Sequence, residues 1–167
     1  MILGGVPRIV PSALLVMAIF LLVPSGASAR SSASYRSSTE RVVFNLLNDI
    51  RREHKLPQFT FSAALRTSAR EHSADMLARQ YFEHNAPDET FDHRIRRHLK
   101  SSLVGENIAW GTGRYATPAG LVQLWMNSPA HRRIILTKRL RRVGLGVAIG
   151  RFAGSPDAAM ATADFAA

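Results

Sequence analysis

Val143-Gly144-Leu145-Gly146-Val147-Ala148-Ile149 alternates branched apolar residues with glycine and alanine. A period of two predicts a β-strand. A second run, Met160 to Phe165, predicts its partner, and Gly154-Ser155-Pro156-Asp157 reads as the turn between them.

Upstream the repeat lengthens from two to that of a helix. Val42, Val43, Leu46, Leu47 and Ile50 form one apolar stripe, with Ser38 or Thr39 as cap and Pro57 as stop. Arg51, Arg52, His54 and Lys55 suit the basic C-terminal end of that helix. A second helix is expected from its Ser62 cap to about Gln80, with Leu65, Ala69, His72 and Met76 inward. Pro87-Asp88-Glu89 is a turn, and residues 91–99 read as a short basic helix. Ser101 to Gly113 reads as loop and extended backbone. Thr117-Pro118 and Ser128-Pro129 each pair a capping hydroxyl with a proline suited to a first helical turn. Helices come first and antiparallel strands late, which predicts an α+β fold.

The 167-residue chain opens with Arg8, an apolar run from Ile9 to Pro24, and Ala27-Ser28-Ala29. These are the parts of a secretory signal peptide, residues 1–29, cleaved after Ala29. The alternative is an uncleaved membrane anchor, for which the run is short and interrupted by Pro11. Residues 30–38 are Ser/Ala/Arg-rich and read as a flexible tail, leaving one domain over 39–167. There is no cysteine, so an exported form has no disulfide staple and depends on packing. That fits a bacterial exported protein.

Lysine and arginine number 22 against 12 acidic residues, a formal charge of +10. The leader removes only Arg8, leaving +9. For an exported protein such a charge suits anionic cell-wall polymers or lipid headgroups. The leader argues against nucleic acid. The alternative is that dispersed charge serves solubility alone.

Three segments carry the residues with chemistry: Tyr81-Phe82-Glu83-His84, Gly105-Glu106-Asn107-Ile108 and Ser128-Pro129-Ala130-His131. His84 lies just past a helix end, free to point into a cleft. Glu106 is flanked by Gly105 and apolar residues, so it is expected to be partly buried and therefore hydrogen-bonded or ligating. His131 opens a helix, where the dipole disfavours imidazolium and favours a neutral, metal-competent ring. These spacings are not a metal motif by themselves. His72, on an apolar helix face, reads as a satisfied core histidine, and His54, His93 and His98 as exposed. There is no Gly-x-Ser-x-Gly elbow and no phosphate-binding glycine loop.

At these residues the chain resembles the superfamily of cysteine-rich secretory proteins, antigen 5 and pathogenesis-related proteins, in a short cysteine-free form. The resemblance spans about Arg41 to Phe165. It rests on Asn48-x-x-Arg51, Ala69-x-x-His72-Ser73-x-Asp75-Met76 with Tyr81-Phe82-x-His84, Gly105-Glu106-Asn107-Ile108-Ala109-x-Gly111, Trp125 to Arg132, and Val143 to Val147. It implies an α-β-α sandwich, with a small antiparallel sheet flanked by helices. It also implies a cleft built from His84, Glu106, Asn107, Ser128 and His131. Ser128 stands where animal relatives carry a second acidic residue. The two histidines left, His84 and His131, are the pair through which some relatives are thought to bind zinc.

The family has no single activity, so function stays open between classes. The first is a non-enzymatic binding module for an anionic cell-wall polymer, lipid or protein. The second is a zinc-assisted hydrolase of peptide or ester bonds, with metal on His84 and His131 and Glu106 as general base. A third keeps these side chains as a polar network that holds the cleft loops.

Overall fold

The computed structural model describes residues 26–167. The expected leader falls outside the described residues except for Gly26–Ala29. The elements are α1 (Gly26–Glu53), β1 (Thr60–Phe61), α2 (Ala63–Arg79), α3 (Phe91–His98), β2 (Val104–Gly111), α4 (Pro118–Asn127), α5 (Pro129–Ile135), β3 (Arg142–Phe152) and β4 (Ser155–Ala166). A 3-10 turn, Gly113–Ala116, precedes α4.

Local chemistry explains most boundaries. Ser62 caps α2 by accepting from the Leu65 amide, and Gln80 ends it in the left-handed region. Thr117 caps α4 by accepting from the Gly120 amide, with Pro118 in the first turn. Three boundaries differ from the sequence expectation. Helix α1 begins at Gly26 rather than near Thr39, because residues 30–38 contain no proline or glycine to stop it. Strand β2 makes a regular strand of much of the stretch read as loop and extended backbone, its alternation hidden by Glu106 and Asn107. The β3–β4 turn is Ala153-Gly154, both at positive φ (47° and 82°), so Ser155 to Asp157 already belong to β4. Two left-handed residues match the twist of the strands they join.

The sheet order is β1-β3-β4-β2. β4 pairs antiparallel with both β2 and β3. β1 adds two residues parallel to β3, so the sheet is mixed rather than purely antiparallel. One layer of helices packs the odd-numbered face. There Val43 and Leu47 of α1, Leu121 and Trp125 of α4 and Ile135 of α5 meet Val143, Leu145, Val147, Ala163 and Phe165. The other face meets α2 and α3 through Met76 against Ile108 and Met160, and Leu65 beside Ile95. The result is an α-β-α sandwich of α+β class.

Arg51, read as part of the basic C-terminal end of α1, does more than complement the helix dipole. It is fully buried, stacks 4.0 Å over the Phe59 ring, and donates to the carbonyls of Pro57, Ile135 and Thr137.

The small residues of β3 let α2 approach backbone to backbone. A Cβ on Gly144 would lie 2.0 Å from the Arg66 nitrogen, and one on Gly146 2.3 Å from the Ala69 carbonyl carbon. Gly146→Ala and Gly144→Ala are each expected to lower stability by about 3 kcal/mol in urea unfolding, since the obstructing atoms are main chain. Gly150→Ala is expected to cost under about 1 kcal/mol, because only the flexible end of Leu77 is near. Equal effects at all three would refute close helix–strand packing as their reason.

Candidate functional site

β2 is an edge strand of the sheet, so the loop after α2 and the start of α5 meet beside it. Its even residues, Glu106 and Ile108, face the α2/α3 layer, and Asn107 faces the α4/α5 layer. Glu106 is 3% exposed. Its Oε1 accepts from His84 Nδ1 at 2.8 Å, and its Oε2 accepts from the buried guanidinium of Arg94. Both carboxylate oxygens are therefore engaged.

The two expected histidines face each other, with ring centroids 6.3 Å apart. His84 is about half exposed, and donation from Nδ1 leaves its Nε2 free for a ligand. Burial, then the neighbouring His84, pulls the His131 pKa below the usual histidine range. That is the direction the helix argument predicted, with a different cause. Asn107 donates to the His131 carbonyl at 3.1 Å and so ties the start of α5 to β2. Ser128 stands at the α4–α5 junction and makes no capping bond.

His72 sits behind this group. It is 1% exposed, and its Nε2 donates to the Glu83 carbonyl at 3.0 Å while lying 3.9 Å from Glu106. Burial depresses its pKa and keeps the ring neutral, so it reads as a core histidine that also backs the site. Of the other histidines, His54 and His93 are exposed. His98 is half-buried against Glu71.

Two residues of the site escaped the sequence reading. Arg94 belongs to the short basic helix and was not singled out, yet it is 3% exposed. The signal available was its spacing, three residues after Phe91 and next to Ile95. Asp164 lies directly opposite Glu106 in the β2–β4 register and is completely buried. Neither of its oxygens has a partner at bonding geometry, although Ser68 and Glu106 are close enough to influence it. Burial, then the Glu106 charge, raises its pKa far above the carboxylate range. The shift favours the neutral form of Asp164. Its signal was a carboxyl standing in the Met160 to Phe165 run, where no other charge occurs.

Next to the histidines is a cavity of about 330 Å³. His84 and Glu106 supply its polar wall, and Phe91, Leu103, Ile134 and Leu140 its apolar ones.

The residues do not fit the expected zinc centre. His84 and His131 offer two donors, and both oxygens of Glu106 are already taken. Among the described residues no group of three metal-ligating side chains converges. Catalytic zinc sites use three protein ligands.

Residues 44–155 match the profile of the cysteine-rich secretory protein family, CAP. The chain belongs to the CAP family. The Bacillus subtilis protein YkwD is 35% identical over 118 residues, covering 70% of this chain and 45% of YkwD. The membrane protein YlbC of the same organism is 28% identical over 129 residues, 76% of this chain and 36% of YlbC. The chain thus spans less than half the length of these curated relatives. Among solved structures, an extracellular SCP-domain protein of Bacillus anthracis superposes with a TM-score of 0.70 at 28% identity, covering 82% of this chain and 43% of that one. An outer surface protein of Borrelia burgdorferi shares the fold, with a TM-score of 0.64 at 17% identity over 76% of this chain and 92% of its own.

Proposed function

We propose that this protein is an exported binding module of the cell envelope whose cleft, built on His84, Glu106 and His131, holds a ligand without turning it over. Export is supported by the leader-like start and by the extracellular and outer-surface descriptions of its structural neighbours. The observation that carries the reading is the state of Glu106. A general base needs a free lone pair aimed at its proton. Each oxygen of Glu106 is held by a hydrogen bond, from Arg94 or His84, and at 3% exposure the remaining lone pairs have little access to a substrate proton. What stays open to a ligand is the half-exposed His84 ring, His131 and the apolar cavity beside them. That pairing of one or two polar groups with an apolar wall is the usual make-up of a binding pocket. The ligand classes in view are envelope polymer, lipid and protein.

The test is sedimentation of the purified chain with cell-envelope preparations and with lipid vesicles, beside a peptide and ester turnover panel. Retention is expected, reduced severalfold in His84→Ala and His131→Ala, with no turnover in any variant. Turnover that disappears in His131→Ala would overturn the reading in favour of a hydrolase.

A further inference from the structure

We propose that the outward face of α5 and of the turn after it, residues 132–141, is a docking surface for a linear phosphodiester polymer of the polyol-phosphate kind. No aspartate or glutamate occurs between Glu106 and Asp157, so everything from mid-β2 to the β3–β4 hairpin carries cations alone. They concentrate at Arg132, Arg133, Lys138, Arg139 and Arg141, all exposed. Several arginines elsewhere are matched, Arg52 by Asp49, Arg70 by Glu40, Arg79 by Asp75 and Asp88, Arg97 by Glu71 and Glu89, and the unmatched ones, such as Arg41, Arg114 and Arg151, are scattered rather than clustered in the sequence. Among the described residues none of the five concentrated cations has an acidic partner within ion-pair distance. The carboxylates nearest in the chain of the adjoining helix are Asp49, already held by Arg52, and exposed Glu53.

The surface is also firmly held. Arg51 grips the carbonyls of Ile135 and Thr137 from beneath. The His54 ring donates from Nδ1 to the Ile50 carbonyl and accepts at Nε2 from Arg132, which draws the end of α1 and its exposed Lys55 alongside. The same segment turns Ile134 and Leu140 inward to wall the cavity beside His84. A polymer lying on the outer face would therefore pass along the rim of the cleft.

The side chains select the partner. Four of the five cations are arginines, whose planar fork matches phosphate oxygens in pairs. The exposed large apolar residues among those described are Val42, Phe61, Phe82 and Ile149, none of them in this segment. Burial in a lipid interface needs such residues, and so does stacking on nucleic-acid bases. A hydrophilic phosphate chain without bases needs neither. This deepens the binding-module reading by giving it a partner class, on a surface separate from the cleft.

The experiment is a titration of labelled poly(glycerol phosphate) with the purified chain, from about 50 to about 200 mM salt. Affinity is expected to fall steeply along that range as released counterions lose their entropic advantage. Arg133→Gln/Lys138→Gln/Arg139→Gln is expected to bind at least about tenfold more weakly at the low-salt end, with a flatter salt slope. A variant that removes as much charge elsewhere, Arg41→Gln/Lys100→Gln/Arg151→Gln, is expected to stay within about twofold of the parent. Circular dichroism and melting of both variants establish that they fold. Equal loss in the two variants, no binding, or tighter binding to anionic vesicles or single-stranded DNA than to the polymer would each overturn the proposal. Polymer affinity reads this surface, whereas cleft-dependent retention on whole envelopes reads the earlier proposal, so either fails without the other.

Discussion

Arg51→Met is expected to lower the unfolding free energy by about 3–5 kcal/mol, measured by urea unfolding followed on tryptophan fluorescence. Methionine keeps most of the volume and the contact with Phe59, so the loss isolates the hydrogen bonds. Three carbonyls then lose their donor, that of Ile135 in a buried bond and those of Pro57 and Thr137 in part-buried ones. Each buried acceptor left without a partner costs about 1–3 kcal/mol. Burial and the nearby Arg141 lower the pKa of Arg51, but a guanidinium stays charged throughout the accessible range. The penalty is therefore expected to be the same at pH 6 and pH 8. Arg51→Lys is expected to recover only part of it, because one ammonium cannot span carbonyls separated along α5 and the loop after α1. A loss below about 1 kcal/mol for methionine would mean that those carbonyls find other donors.

Arg51 also marks where sequence reading stops. The caps at Ser62 and Thr117, the two late strands and the apolar stripe of α1, apart from Val42, which is exposed, were legible because each is a local signal: a hydroxyl before a helix, or a fixed spacing. The cleft positions His84, Glu106 and His131 were legible because short motifs around them survive in order. Buried charges were not. Glu40, Arg51, Arg94 and Asp164 all sit in the interior. A charged residue in a polar or basic stretch reads as surface unless its partner is known, and these partners lie on other elements or across the sheet. Glu40 is the furthest case. It accepts from the Val147 amide on β3, 107 positions away, while binding the Arg70 fork. There it occupies a strand-edge donor that would otherwise be open to pairing. β2 was read as loop and extended backbone rather than as a strand for a related reason. Its polar residues point into the protein, toward Arg94 on one side and α5 on the other, and so break the apolar alternation that announces a strand.

The site rests on a charge balance that predicts how its variants behave. One buried guanidinium, Arg94, faces two buried carboxyls, Glu106 and Asp164, while His72 stays neutral. Glu106 is the carboxylate that Arg94 binds, and burial beside it favours the neutral form of Asp164. Glu106→Gln removes the anion that Arg94 needs, and Asp164 is then expected to ionise in its place, limiting the loss to about 1–2 kcal/mol. Asp164→Asn replaces one neutral group by another of similar shape and is expected to be mild. The double variant leaves Arg94 buried with no anion and is expected to lose about 3–5 kcal/mol, well beyond the sum of the singles. A pH series adds the sign. Folding holds a proton on Asp164 that the unfolded chain releases above about pH 4, so the native state binds more protons there. Stability then falls as pH rises from that point toward the raised pKa, by up to about 1.4 kcal/mol per pH unit. Asp164→Asn is expected to remove this contribution, so its stability relative to the parent improves as pH rises above about 4. Glu106→Gln is expected to flatten it as well, because Asp164 no longer keeps its proton. Additive single losses, or a parent and Asp164→Asn with parallel pH profiles, would show that the carboxyls do not share one balancing charge.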